Sequence, residues 1–186
     1  MEFKLFGTRF SISFGFFAVV AWYVLYGYSG GGLAVLTAVA LHECGHLLMM
    51  WLAGVKIPAV EFCPFGIRLE RQTLLPVAKE TAVYLGGVLA NAVCLCCWVP
   101  WYGWDAFSQA HLGLLLFNLL PVGRLDGGQL LRLALFRLDP VTAQQIQWLV
   151  GFLGLAPLFA AGFWMLWRGN VSLLLTVVYL AATMGQ

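Results

Sequence analysis

The sequence predicts an all-α polytopic membrane protein of about six transmembrane helices, with a short re-entrant β-hairpin or membrane-associated strands. Three observations predict it. Of the 186 residues, 62% are hydrophobic and only 10% are charged, and the mean hydropathy is +0.88. That is too apolar for a soluble domain or a disordered chain. Apolar runs near the length of about 20 residues that crosses a bilayer recur along the chain. The polar interruptions between them are short: Val55 to Thr73, Trp101 to Gln109 and Arg124 to Gln147.

Taken in order, Phe10 to Tyr28 is the first expected span and Gly32 to Ala53 the second. The N-terminus shows no short apolar region followed by a small-residue cleavage site, so it reads as a retained segment. Pro76 to Trp98 is the third span. Ala110 to Leu120 is a short fourth, ending where Pro121 and Gly123 break the helix. A short interfacial helix is expected over Gln129 to Arg137, with Arg132, Arg137 and Asp139 as its solvated face. Trp148 to Trp167 and Val171 to Met184 are the fifth and sixth spans, joined by a tight turn at Arg168-Gly169-Asn170. Tryptophans at the expected ends (Trp98, Trp101, Trp104, Trp148, Trp167) fit interfacial aromatic belts. With six crossings and both termini cytoplasmic, only Arg168 of the ten Lys and Arg residues falls outside, a strong positive-inside bias.

Within the second span stands His42-Glu43-Cys44-Gly45-His46. Helical spacing puts His42 and His46 on one face, one turn apart, so that two imidazoles can grip one Zn²⁺. Glu43 is placed to take a proton from water at the metal. A satisfied pair of helix histidines with a salt-bridging glutamate is the bland alternative. It is expensive inside a membrane, where ionisable side chains are costly and mark function. A catalytic zinc needs a third protein ligand, and Asp126 is the best candidate, in Asn118-Leu-Leu-Pro121-Val-Gly-Arg-Leu-Asp126-Gly127-Gly128. Asp126 could also be a helix N-cap for the segment starting near Gly127; the two roles are compatible. The cysteines, Cys44, Cys63, Cys94, Cys96 and Cys97, lie in apolar or cytoplasmic surroundings and read as free thiols. No second ligand pair accompanies Cys94-Leu-Cys96-Cys97, which argues against a metal cluster there. No basic run points to nucleic acid.

HECGH at 42–46, Gly86-Gly87-Val-Leu-Ala-Asn91 and NLLPVGRLDGG at 118–128 occur in the order in which they occur in site-2 proteases. The chain resembles that family of intramembrane zinc metalloproteases over residues 30–140. Glu61-Phe-Cys-Pro64-Phe65-Gly66 and the six-span layout are most similar to the stage IV sporulation protease FB branch. Gly123-Arg124 departs from the Pro-x usual in the family. The resemblance implies a zinc metalloendopeptidase with one Zn²⁺ per chain on His42, His46 and Asp126, and Glu43 as the catalytic base. It also implies a membrane-associated protein substrate, such as a pro-sigma or anti-sigma factor, with room for regulatory membrane proteins. The mother-cell membrane around the forespore would then be one setting. The whole of 1–186 is expected to be one membrane-embedded domain with no soluble CBS or PDZ domain.

Asn118 could donate to the substrate backbone or oxyanion, or satisfy the broken helix. Pro64, Phe65 and Gly66 would turn a hairpin whose edge pairs with an unwound substrate. Gly86 and Gly87 are expected to let helices approach closely, with Asn91 packing or hydrogen-bonding between the second and third spans. His111 reads as interfacial and structural. The active site is expected toward the cytoplasmic side. A non-catalytic adaptor or chaperone retaining a zinc site would lack a ligand or base, and none is missing. A metal transporter would need polar residues aligned through several spans, and the first, fifth and sixth are almost purely apolar. A prenyl-protein protease would need a distant Glu ligand in place of Leu-Asp-Gly-Gly.

Overall fold

The computed structural model describes residues 2–5, 8–13, 20–21, 31–55, 59–63, 66–70, 75–123 and 125–183. Four strands, β1 (Glu2–Leu5), β2 (Thr8–Ile12), β3 (Ala59–Cys63) and β4 (Gly66–Glu70), form one sheet in the order β1-β2-β3-β4. β1 and β2 pair antiparallel, as do β3 and β4, whereas β2 and β3 run parallel. A parallel pair needs a long crossover. Here the connection contains α1 (Gly31–Leu52), the helix that carries HECGH. Two further helices complete the first of two compact units, Met1–Leu115: α2 (Val77–Tyr102) and the greater part of α3 (Ala106–Asn118). The second unit, Leu116–Gln186, holds α4 (Asp126–Ala134), α5 (Pro140–Trp167) and α6 (Ser172–Thr183).

The expected fold class is overturned on two counts. Three described helices, α1, α2 and α5, are long and apolar enough to cross a membrane, not about six. At 1.5 Å per residue, the 13 residues of α3 and 12 of α6 reach only about 20 Å, against about 30 Å of hydrocarbon. The positive-inside count presumed six crossings and falls with them. The strands are also not an isolated hairpin, which would be marginal in itself; they belong to a four-stranded sheet. Its first half comes from the N-terminus, where Phe10 was expected to open a helical span. Phe3, Leu5, Phe10 and Ile12 alternate with Lys4, Arg9 and Ser11, the two-residue period of a strand. The rest of that expected span, apart from Val20 and Ala21, lies outside the described residues. What stands is a polytopic membrane protein with several long apolar helices.

α1 and α2 pack through small residues. A Cβ on Gly45 would collide with the carbonyl oxygen of Gly86, and one on Gly86 would sit 2.6 Å from the carbonyl oxygen of Gly45. Backbone atoms cannot swing aside, so the contact requires glycine on both helices. Reciprocal bonds start α3: Ser108 N–H donates to Asp105 Oδ1 at 2.9 Å, and Asp105 N–H donates to Ser108 Oγ at 2.8 Å. The Ser108 N–H holds the Asp105 carboxyl below its ordinary range.

In the second unit, Val122, Leu155, Val177 and Leu180 form the buried cluster, with Phe117, Leu120 and Leu125 packed against it. α5 starts from Asp139, whose carboxylate accepts from Thr142 N–H at 2.9 Å, followed by Pro140 in the first turn. Asp139 therefore caps the next helix and is not on the face of α4. The expected turn at 168–170 is present, with Gly169 at φ +81° and Asn170 N–H donating to Met165 O at 3.0 Å.

Candidate metal centre

The buried positions of α1 include Ala34, Ala38, His42, His46 and Met50, four apart and therefore on one stripe. On α2, Val83, Gly87 and Asn91 are buried at the same spacing. These two stripes build the site. The Nε2 atoms of His42 and His46 face each other at 3.1 Å, with the rings edge to face. His46 Nδ1 lies 2.7 Å from Val83 O. A carbonyl only accepts, so His46 carries its proton on Nδ1 and turns the Nε2 lone pair inward. Gly87 sits one turn beyond Val83 and has no side chain to cover that carbonyl.

Gly87 does more. A Cβ there would lie 2.7 Å from His42 Nε2, 2.6 Å from His42 Cε1, and closer still to His46 Nε2. The two glycines expected to serve helix packing therefore divide the work. Gly86 lets the backbones meet, and Gly87 makes room for the imidazoles.

On the far side of His42, Nδ1 lies 3.1 Å from Asn91 Nδ2, and Asn91 Oδ1 lies 2.9 Å from His111 Nδ1. Asn91 and His111 are both 0% exposed. His111 is therefore enclosed by protein. It is buried on α3, with its ring tilted against Phe107 at 4.2 Å between ring centroids. Sequence reasoning missed His111 and the second role of Gly87. The i, i+4, i+8 spacing of Val83, Gly87 and Asn91 was the signal available.

Asp126 belongs to the second unit. Its helix is capped by Leu125, so Asp126 is the first residue of α4 and not its N-cap. It is buried, at 9% exposure. The carboxylate at the start of a helix is favoured by the backbone dipole. The chain before it is broken: Val122 N–H donates to Leu120 O at 2.8 Å, and Gly123 has φ +48°. Gly127 and Gly128 let this loop fold onto the helix. A Cβ on Gly127 would collide with Leu119 O, and one on Gly128 would lie 2.6 Å from Gly123 O.

His42, His46 and Asp126, all buried, make up a candidate His-His-Asp donor set for one metal ion. The set fits zinc. Two imidazoles and a carboxylate are common zinc ligands, and two Zn–N bonds of about 2.05 Å at a tetrahedral angle set the nitrogens about 3.3 Å apart. Among the described residues the cysteines Cys44, Cys94, Cys96 and Cys97 are free, and none joins such a set. Glu43 follows His42 on α1 and is partly exposed, as is Asn118 at the end of α3. Gly66 opens β4, while Pro64 and Phe65 lie outside the described residues.

No family model matches the chain. It is similar to stage IV sporulation protein FB of Bacillus subtilis, 29% identical over 123 residues, covering 58% of this chain and 41% of that protein. Rip3 of Mycobacterium tuberculosis, by name a candidate zinc metalloprotease, is 33% identical over 144 residues, covering 66% of this chain and 34% of the relative. The chain thus spans less than half the length of either relative. Among solved structures, the site-2 protease of Methanocaldococcus jannaschii aligns with a TM-score of 0.65 at 19% identity, covering 100% of this chain and 94% of that one. The fold is that of a site-2 protease.

Proposed function

We propose that this chain is an intramembrane zinc metalloendopeptidase of the site-2 protease family, cutting a peptide bond in or near a membrane-associated segment of a protein substrate. The observation that carries the proposal is the convergence of two buried imidazole Nε2 atoms at 3.1 Å on a long apolar helix that also bears Glu43. The site-2 protease fold and the similarity to Rip3 support it.

In this reading His42, His46 and Asp126 hold one Zn²⁺ per chain. Bound zinc supplies Lewis acidity, which lowers the pKa of water and draws charge from a peptide carbonyl. Glu43 accepts the proton of the attacking water and delivers it to the leaving nitrogen. Asn118 donates a hydrogen bond to the substrate backbone. The buried glycine contacts of α1 and α2 keep the ligands rigid, so little reorganisation is left for the reaction. The proposed setting is a bacterial cytoplasmic membrane, in keeping with the bacterial relatives. A pro-sigma or anti-sigma factor is the finer reading of the substrate, supported by the similarity to the sporulation protein.

The test is purified protein with membrane-tethered candidate substrates, wild type beside Glu43→Gln. Cleavage should fall by at least about a hundredfold, the scale of general-base catalysis, with one zinc retained. Normal turnover by Glu43→Gln would contradict the mechanism.

A further inference from the structure

The chain enters α4 through a turn in which Leu125 N–H donates to Val122 O at 3.1 Å and Gly123 stands second, with φ +48°. Turns of this kind come in pairs that differ by half a rotation of the central peptide, the one whose oxygen belongs to the second residue. Glycine in that position removes the steric penalty that would otherwise choose between them. Backbone preference therefore leaves the direction of the Gly123 carbonyl open. Turning it over changes ψ at Gly123 and φ at the next residue, only two positions before Asp126. Two features fix the direction. Gly128 keeps the space clear, since a Cβ there would lie 2.6 Å from Gly123 O. Gln129, the next residue on α4, donates from Nε2 to that same oxygen at 3.2 Å. A carbonyl only accepts, so the amide must present its nitrogen. With the peptide turned over, the Gly123 oxygen would leave both Gly128 and Gln129.

We propose that Gln129 is a positioning residue for Asp126, which holds the turn before it in one peptide orientation through the Gly123 carbonyl. Asp126 opens α4 and Gln129 lies three positions on, so ligand and tether stand on one face of the same helix, about one turn apart. The first backbone bond of that helix, Gln129 N–H to Leu125 O at 3.0 Å, starts from the same residue. Gln129 is thus tied twice to the segment that delivers the ligand, once by backbone and once by side chain. Without the side-chain bond the turn is free to populate both orientations. Metal binding must then select the competent one, which lowers the apparent affinity. A second glutamine gives the contrast. Gln147 of α5 reaches Gly128 O at 3.5 Å. That contact is longer and weaker, and it falls on α4 itself, after Asp126, where it has no hold on the turn.

This role rests on the zinc reading, and its test separates the two. Zinc affinity is measured by competition with a chelating dye in detergent micelles. Hydrogen exchange at the Leu125 amide is followed without zinc, by NMR of ¹⁵N-leucine-labelled protein. Gln129→Met, of similar length but without a donor, should weaken zinc binding about two- to tenfold, the scale of one neutral hydrogen bond. It should speed Leu125 exchange by a similar factor. Gln129→Lys, whose ammonium restores a donor, should recover most of both. Gln147→Met should change either by less than about twofold, as the loss of a long contact. No loss of affinity from Gln129→Met, or an equal loss in Gln129→Lys or in Gln147→Met, overturns the proposal. If Gln129→Met fails to fold, Gln129→Glu takes its place against Gln129→Lys with the same expectations, because its ionised carboxylate repels the Gly123 carbonyl. Failure of wild type to bind zinc at all would instead sink the zinc reading. Leu125 exchange then decides for Gln129: faster in Gln129→Met and restored in Gln129→Lys supports the tether, and unchanged exchange overturns it.

Discussion

His42 and His46 stand in the middle of a 22-residue helix, whereas Asp126 opens a 9-residue helix after a stretch of broken backbone. The first pair is held by side-chain bonds and by a neighbouring helix pressed close at Gly45, Gly86 and Gly87. The aspartate is held by its own loop, folded back so that Leu119, Leu120, Val122 and Gly123 lie against Gly127 and Gly128. Both regions use glycine to bring backbone where a side chain would forbid it. The histidine region is held by the close packing of two long helices. The aspartate region is held by one short segment that packs on itself and on the cluster around Val122 and Leu155. The same change should therefore have different consequences in the two regions.

The largest effect is expected from removing a ligand in either region. His46→Ala and Asp126→Ala should each abolish stoichiometric zinc binding and cleavage, read by metal analysis of purified protein. Retention of tight zinc by Asp126→Ala would break the pairing of the two regions. Next come the glycines. Gly87→Ala forces a methyl onto both imidazoles and should weaken zinc binding by more than about tenfold while the protein still folds. Gly127→Ala meets backbone, and should cost about 1–3 kcal/mol of stability in thermal melts before any effect on metal is considered. Gly86→Ala should behave like Gly127→Ala and unlike its neighbour Gly87→Ala, lowering the melting temperature by opening the α1–α2 contact. If Gly86→Ala and Gly87→Ala are indistinguishable in zinc affinity, the division of labour between them is wrong.

The smallest effects belong to the caps. Asp105 and Asp139 are held below the ordinary carboxylate range by the backbone N–H groups of Ser108 and Thr142. A depressed folded-state pKa gives stability that is present above the unfolded value and lost as pH falls through the folded one. Asp105→Asn should therefore flatten the acid side of a stability–pH curve and leave neutral-pH activity unchanged. An unaltered acid limb would show that the cap carries no such linkage.

How much was legible follows from the same contrast. HECGH is coded by spacing within one helix, and a four-residue interval needs no tertiary knowledge to place two imidazoles on one face. Asp126 was legible through the residues around it, because proline and glycines announce a broken backbone. Its exact place was not, since the cap is Leu125 and the aspartate the first helical residue. Apolar composition misleads at the N-terminus, where Phe10 predicts the start of a span and the chain instead forms a strand. It misleads again at α3 and α6, whose apolar residues stop short of a bilayer's thickness. His111 could not be placed from sequence, because its partner Asn91 is 20 positions away and on another helix. Only the tertiary contact joins this histidine to His42 through Asn91.

The central claim is that imidazole and carboxylate ligands from these two regions hold one zinc. The zinc K-edge X-ray absorption spectrum of the purified chain tests it most directly. The account predicts one zinc per chain in a shell of nitrogen and oxygen, with outer-shell scattering from two imidazoles and no sulfur, although the chain has five cysteines. A sulfur shell, or a spectrum unchanged by Asp126→Ala, would contradict it.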